Sequence, residues 1–132
     1  MESLLKELKF QNGLVPAVVT DAGTGEVLTL CYMNEDAVRQ TLETGLVHVF
    51  RRSHGRLMKK GQTSGHVQRV RDVRIDCDGN SLLLAVEQQG AACHKGFYTC
   101  YFRRYNPEDD SIETVGKKVF EPDEVYKKRP PA

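Results

Sequence analysis

Three of the four cysteines are the residues best suited to chemistry in this sequence, because their thiols could hold a metal ion. Cys77, Cys93 and Cys100 lie in separate segments, and none belongs to a C-x-x-C pair, so the spacing does not indicate a zinc ribbon or knuckle. Three thiolates around zinc would leave a fourth position for water, which is the arrangement of a catalytic site. Free cysteine is also among the most buried residue types. Core packing is therefore an equal alternative for these three thiols, and it is the favoured interpretation for Cys31.

The segment DCDGN surrounds Cys77 with oxygen ligands. Asp76, Asp78 and Asn80 offer carboxylate and amide oxygens, and Mg²⁺ is commonly bound by one or two carboxylates together with substrate oxygens and water. On a strand, alternation would turn Cys77 to one face and the two aspartates to the other. One hairpin tip could then serve a soft ion and a hard ion. A plain polar hairpin turn is the alternative.

The stretch after Phe50 is rich in fixed positive charge. It contains Arg51, Arg52, Arg56, Lys59 and Lys60, followed by GQTSG. Glycines and hydroxyls beside such cations could cradle a phosphate, with arginine supplying bidentate contacts. A solvated surface is the common alternative, and RNA binding is another. The formal net charge of +1 and the placement of the aromatic residues elsewhere argue against RNA.

Apolar patterning predicts the elements that must position these groups. We expect a short helical turn at 4–9, a helix at 34–45, and strands at 14–21, 26–33, 46–50, 67–77, 81–89 and 97–105. Cys77 then lies at a hairpin tip, Cys93 in a loop and Cys100 within a strand. Many strands and one main helix predict an α+β protein dominated by antiparallel sheet.

Length and composition favour one domain over residues 1–132, with 107–132 as a polar C-terminal extension. No apolar run approaches the ~20 residues that cross a bilayer, and residues 1–13 lack the uninterrupted apolar region of a signal peptide. We therefore expect a cytoplasmic protein without a membrane partner. Its cysteines should be reduced in that compartment.

Together, the segments YMNEDAVRQTLETG, RS…KGQTSGH, DCDG and CHKGFYTC resemble the phosphoribosyl-AMP cyclohydrolase family over about residues 15–104. The resemblance implies an intertwined homodimer in which Cys77 of one subunit joins Cys93 and Cys100 of the other around one Zn²⁺. It also implies Mg²⁺ at Asp76 and Asp78. Asn80 stands where the family has a third aspartate, so Mg²⁺ binding is expected to be weakened.

The resemblance further implies an enzyme of histidine biosynthesis that opens the N1–C6 bond of the purine ring of phosphoribosyl-AMP by hydrolysis. Zinc would supply hydroxide at neutral pH, and His94 would move the proton, although packing is the alternative role for this histidine. The expected partner is this nucleotide rather than a nucleic acid. It would bind at Arg52, Ser53, Lys60, Gly61, Ser64 and Gly65.

The basic loop departs from the family pattern at Arg51, His54, Met58 and Gln62. These differences leave the three thiols intact but bear on the identity of the substrate. A paralogue acting on another purine-like nucleotide is therefore a second hypothesis. A structural-zinc or RNA-binding module is a third. The H-x-E and P-C-x-x-C signatures of zinc deaminases are absent.

Overall fold

The computed structural model describes residues 1–51, 56–60, 67–93 and 95–119, with only the backbone for 56–58. The elements in chain order are α1 (Glu2–Glu7), β1 (Val15–Asp21), β2 (Val27–Met33), α2 (Glu35–Thr44), β3 (His48–Arg51), β4 (Arg56–Lys59), β5 (Gln68–Ile75), β6 (Leu82–Gln88), β7 (Arg103–Asn106) and β8 (Ser111–Thr114). Neither helix in this part of the chain is long and apolar enough to cross a membrane.

The main sheet has four strands in the order β2-β1-β6-β5. Its pairs are antiparallel except β1 and β6, which run parallel. The core face is lined at alternate positions by Val15, Ala17 and Val19 of β1 and by Leu82, Leu84 and Val86 of β6. Because β1 and β6 are parallel, their carboxyl ends meet at the same edge of the sheet. The chain leaving β6 at that edge leads into Cys93.

The main helix is α2, and local signals set both of its ends. Asn34 accepts a hydrogen bond from the Ala37 N–H (2.8 Å), and Gly45 ends the helix in the left-handed conformation at φ 75°. The predicted apolar face buries Ala37 and Val38, while Leu42 is only half-buried. The prediction of an α+β fold with mostly antiparallel sheet and one main helix is confirmed.

Two parts of the predicted layout were wrong. The aromatic segment 97–105 is a strand only from Arg103 onward, so Cys100 lies in irregular chain. Its aromatic content reflects packing instead of strand alternation, since the Phe97 and Phe102 rings stack 3.9 Å apart. Strands β4 and β8 were not predicted, because both are short and polar. The single-domain limits stay a prediction, since residues 120–132 lie outside the described range.

The hairpin tip between β5 and β6 packs against the end of α1. Gly79 adopts φ +72°, and its carbonyl accepts a hydrogen bond from the Lys9 N–H (2.8 Å). A Cβ at this position would overlap the carbonyl oxygen of Glu7. Gly79 is therefore required both by its backbone conformation and by the close approach of the N-terminal segment.

Gly79→Ala is expected to lower the free energy of unfolding by more than the ~1–2 kcal/mol that a left-handed conformation costs a residue with a Cβ. Gly25→Ala is the matched control, because Gly25 has φ +80° and a Cβ added there would meet no atom within 4 Å. The free energy of unfolding of both variants is measured in urea, and the difference between their losses gives the contribution of the contact with Glu7. Equal losses in the two variants would show that this contact does not constrain the tip.

Candidate metal and catalytic site

The structure brings Cys93 and Cys100 together. The Thr29 side chain and the Cys93 thiol both lie close enough to the Cys100 thiol to affect its pKa, which Thr29 lowers and Cys93 raises. Cys93 is buried and Cys100 is half-buried. Burial raises the pKa of Cys100, and the nearby positive charge of Lys60 opposes that rise. Two neighbouring thiols at the edge of the core could supply two of the four ligands of a tetrahedral metal site.

A tight turn holds Cys93. The Ala92 N–H donates to the Tyr98 carbonyl (3.0 Å), the Cys93 N–H donates to the Phe97 carbonyl (3.2 Å), and the Gly96 N–H donates to the Cys93 carbonyl (2.9 Å). The Lys95 N–H points at the Cys93 sulfur (3.4 Å). This contact helps to fix the position of the sulfur within the turn.

Cys100 is anchored on β2. Its N–H donates to the Leu28 carbonyl (2.7 Å), and the buried Thr99 hydroxyl donates to the Val27 carbonyl (2.7 Å). Since β2 is an edge strand of the main sheet, the segment containing Cys100 lies along that edge. The backbone of Cys100 is therefore attached to the main sheet.

Lys60, predicted to contact substrate, lies in the neighbourhood of the thiols. Its N–H donates to the Val47 carbonyl (2.8 Å), which fixes the end of β4 beside β3. Burial lowers the pKa of the Lys60 ammonium, whereas the nearby Cys100, Cys31 and Cys93 thiols act in the opposite direction. The site thus places three thiols near a half-buried ammonium group.

Cys31 is close to this group but is held differently. Its thiol donates to the Ala17 carbonyl (3.6 Å) across the β1–β2 pair, and the side chain packs against the core. Burial raises its pKa to about 11, although the positive charges of Lys60 and Arg51 lower it. This environment favours a neutral thiol, in agreement with the packing role expected for Cys31.

Cys77 is exposed and lies apart from the other two ligand candidates. It precedes β6, whereas Cys93 follows it, and a strand of this length separates its ends by about 20 Å. Within the described part of the chain, no three histidine, cysteine or acidic residues are grouped closely enough to hold a metal. One protomer alone therefore brings together two of the three predicted sulfur ligands.

The segment around Cys77 is a turn, so the expected division into two strand faces was wrong. β5 ends at Ile75 and β6 begins at Leu82. Asp76 accepts hydrogen bonds through Oδ1 from the N–H groups of Asn80 (2.6 Å) and Ser81 (3.2 Å). Desolvation raises the pKa of Asp76, but these backbone donors outweigh it and bring the pKa below its ordinary value.

The oxygen ligands at this tip face solvent. Asp76, Asp78 and Asn80 are all exposed. Asp76 uses its Oδ1 to shape the turn, as the plain-turn alternative requires. The backbone donors that hold this oxygen also keep the carboxylate charged at neutral pH. The tip can therefore offer carboxylate oxygens to a cation while it keeps its own structure.

The sequence did not predict a set of hydrogen bonds that supports the turn at residues 92–98, which holds Cys93 and is called the cysteine turn below. The Tyr98 hydroxyl donates to Asp21 at the end of β1, and the Tyr98 carbonyl accepts from Gln88 Nε2 (2.8 Å) at the end of β6. Gln88 Oε1 in turn accepts from the buried Gln68 (2.7 Å), whose own Oε1 has no partner among the described residues. No local pattern could reveal these bonds, because they join residues far apart in the chain.

Most of the predicted substrate loop lies outside the described residues. This applies to Arg52, Ser53, His54, Gly61, Gln62, Ser64 and Gly65, to the predicted proton-transfer residue His94, and to the side chain of Met58. The roles assigned to them stay predictions. Arg51, at the start of this loop, is exposed at the end of β3.

Comparison with known proteins bears on the interpretation of this site. Residues 29–102, which include all four cysteines, match the family model for phosphoribosyl-AMP cyclohydrolase. A phosphoribosyl-AMP cyclohydrolase of Methanosarcina barkeri is 53% identical over 120 residues, covering 91% of this chain and 89% of the relative. Those of Pelotomaculum thermopropionicum and Nitratidesulfovibrio vulgaris are 51% and 48% identical, covering 95% and 96% of this chain and 97% and 100% of the relatives.

Proposed function

Because the chain belongs to the phosphoribosyl-AMP cyclohydrolase family of hydrolases, we propose that it opens the purine ring of phosphoribosyl-AMP by hydrolysis of the N1–C6 bond, in histidine biosynthesis. The observation that carries this proposal is the proximity of the Cys93 and Cys100 thiols to each other and to the half-buried Lys60. The N1 ribosyl group makes the ring electron-poor, so C6 is open to attack by hydroxide. Breaking N1–C6 then leaves a carboxamide.

The described residues fit a zinc ion. Cys93 and Cys100 offer two thiols on a turn fixed by the sheet, and soft sulfur ligands favour zinc over Mg²⁺. We assign the third ligand to Cys77 of a second subunit, because Cys77 and Cys93 lie beyond opposite ends of β6 and no three candidate ligands are grouped among the described residues. A zinc ion held there would supply hydroxide at neutral pH. The homodimer follows from this assignment and is proposed with it.

The side chains around the thiols then bind and orient the substrate. Lys60 brings a positive charge to the site, where it stabilises the thiolates and attracts the substrate's phosphate-bearing ribose. His94, adjacent in sequence to Cys93, is proposed to move the proton between the attacking water and the departing ring nitrogen. Arg52, Ser53, Gly61, Ser64 and Gly65 are proposed to complete the phosphate contacts.

Turnover of phosphoribosyl-AMP by the purified protein tests the function directly. Ring opening changes the ultraviolet absorbance, and zinc content and dimer mass are measured on the same sample. We expect turnover that is lost on zinc removal by a chelator and restored by added Zn²⁺. Bound zinc without turnover would favour a paralogue with another purine-like substrate. Salt-sensitive RNA binding without zinc would favour a binding module.

We also propose that Asp76 and Asp78 bind Mg²⁺ at the exposed tip, with Asn80 as a weaker ligand. Asn80→Asp adds a carboxylate there and is expected to lower, several-fold, the Mg²⁺ concentration that half-saturates turnover. Asn106→Asp is the control, because it makes the same change at the β7–β8 turn. If both variants keep the wild-type Mg²⁺ dependence, Asn80 does not face the ion.

A further inference from the structure

Tyr98 connects the cysteine turn to three other parts of the protein. Its N–H donates to the Lys117 carbonyl (2.9 Å), and its carbonyl accepts from the Ala92 N–H (3.0 Å) and from Gln88 Nε2 (2.8 Å). Its hydroxyl donates to Asp21 Oδ2. The backbone groups close the turn on itself and onto β6, while the hydroxyl alone ties it to the end of β1.

The acceptor of that hydroxyl is held in place independently of Tyr98. Asp21 Oδ1 accepts the N–H groups of Gly23 (2.7 Å) and Thr24 (3.2 Å) in the turn between β1 and β2. The other carboxylate oxygen is thereby pointed at the Tyr98 ring. The Tyr98 hydroxyl lowers the pKa of Asp21 against the effect of desolvation. The acceptor is therefore a charged carboxylate at neutral pH, and bonds to such groups are the stronger ones.

Tyr98 lies inside the cysteine turn. It is two residues before Cys100, and its carbonyl receives the N–H of Ala92, which precedes Cys93. A displacement of Tyr98 therefore moves both sulfur-bearing segments relative to each other. The two thiols must lie within a few ångströms to share one ion, since Zn–S bonds are about 2.3 Å.

We propose that Tyr98 is a positioning residue, whose hydroxyl bond to Asp21 sets the separation of the Cys93 and Cys100 thiols and so the metal affinity of the site. The inference rests on the proposed function where it concerns zinc, and on the described geometry where it concerns the thiol pair. Tyr98 does not itself bind the metal in this role. It acts through the turn, as outer partners of metal ligands do in general.

Tyr98→Phe removes the hydroxyl alone, because it keeps the ring that packs against the core. We expect Zn²⁺ affinity, measured by competition with a chromophoric chelator, to fall about 10-fold or more, in line with other outer-shell losses. The visible spectrum of the Co²⁺-substituted protein should change, since it reports the ligand geometry. For turnover, kcat should fall while KM for phosphoribosyl-AMP stays unchanged.

Tyr105→Phe is the matched control. Tyr105 also donates its hydroxyl to an aspartate, Asp110 (2.8 Å), but on the exposed β7–β8 hairpin away from the cysteines. This variant should keep the wild-type Zn²⁺ affinity and Co²⁺ spectrum. If Tyr98→Phe behaves as Tyr105→Phe does in both measurements, the positioning role is refuted.

A second probe reports on the thiol pair without zinc or turnover. Phenylarsine oxide condenses with two adjacent thiols, forming two As–S bonds and releasing water. In a Cys31→Ser, Cys77→Ser background only Cys93 and Cys100 remain, and Tyr98→Phe should weaken arsenical binding. Unchanged binding would overturn the inference. Failure of the wild-type protein to turn over phosphoribosyl-AMP would refute the proposed function, and this probe would still decide the role of Tyr98.

Asp21→Asn tests the same hydrogen bond from its other side, and it keeps the test possible if Tyr98→Phe does not fold. Its Oδ1 can keep the bonds to Gly23 and Thr24, while the group facing Tyr98 becomes an uncharged amide. We expect a smaller loss of Zn²⁺ and arsenical affinity than in Tyr98→Phe, with little change in melting temperature. Wild-type affinity for both probes in Asp21→Asn would count against the charged carboxylate as the anchor.

Discussion

Serine in place of Cys93 or Cys100 is expected to abolish zinc binding and to reduce turnover of phosphoribosyl-AMP more than about 100-fold, because even outer partners of metal ligands are worth 10- to 100-fold. Serine nearly preserves the shape of cysteine but offers a hydroxyl that does not ionise at neutral pH. The two thiols lie near each other, so loss of either leaves one sulfur at the site. Metal analysis and the absorbance assay measure both effects.

Cys31→Ser is the matched control for this result. Cys31 is a partly buried thiol near the same site, and it donates to the Ala17 carbonyl, a bond that serine can also make. Zinc content and turnover should therefore stay close to wild type. Activity that survives in both Cys93→Ser and Cys100→Ser would mean that the pair is not the metal site.

Two inactive variants are expected to restore activity when they share a dimer. Co-expression of Cys77→Ser with Cys93→Ser gives mixed dimers in which an intact Cys77 faces an intact Cys93 and Cys100 pair. With random pairing, about half of the dimers are mixed and each has one complete site, so we expect about a quarter of wild-type turnover. The physical reason is the separation of Cys77 from the pair along β6.

Co-expression of Cys93→Ser with Cys100→Ser is the control for that experiment. Both changes fall on the same half of the shared site, so every dimer has two broken sites and activity should stay absent. Absence of activity in the first combination would place all three sulfurs in one protomer. Restoration in this control would place Cys93 and Cys100 of one site in different subunits. Either outcome would contradict the proposed sharing.

Much of the fold could be predicted because its signals are local. α2 begins at Asn34 and ends at Gly45 through side-chain capping and a left-handed glycine, both of which depend on neighbouring residues alone. The strands β1 and β2 follow from short apolar runs, and Gly79 marks the tip between β5 and β6. These features need no knowledge of distant contacts.

The conformation of segment 97–102 could not be predicted from the sequence, because it depends on hydrogen bonds to distant parts of the chain. Its composition favours a strand, yet the Cys100 N–H pairs with Leu28 and the Tyr98 N–H with Lys117. These partners belong to different parts of the chain, so no single ladder forms. Tertiary contacts overrode a propensity that is weak by itself.

The sequence by itself determined which groups could do the chemistry, since Cys77, Cys93 and Cys100 and the family motifs around them can be identified directly. It also determined the helix and the central strands. Only the tertiary structure decided that Cys93 and Cys100 meet while Cys77 lies apart, and that Tyr98 and Asp21 brace the turn. The physical reason is that capping and alternation act over a few residues, whereas sulfur positions depend on strand order and on hydrogen bonds that span as many as 77 residues.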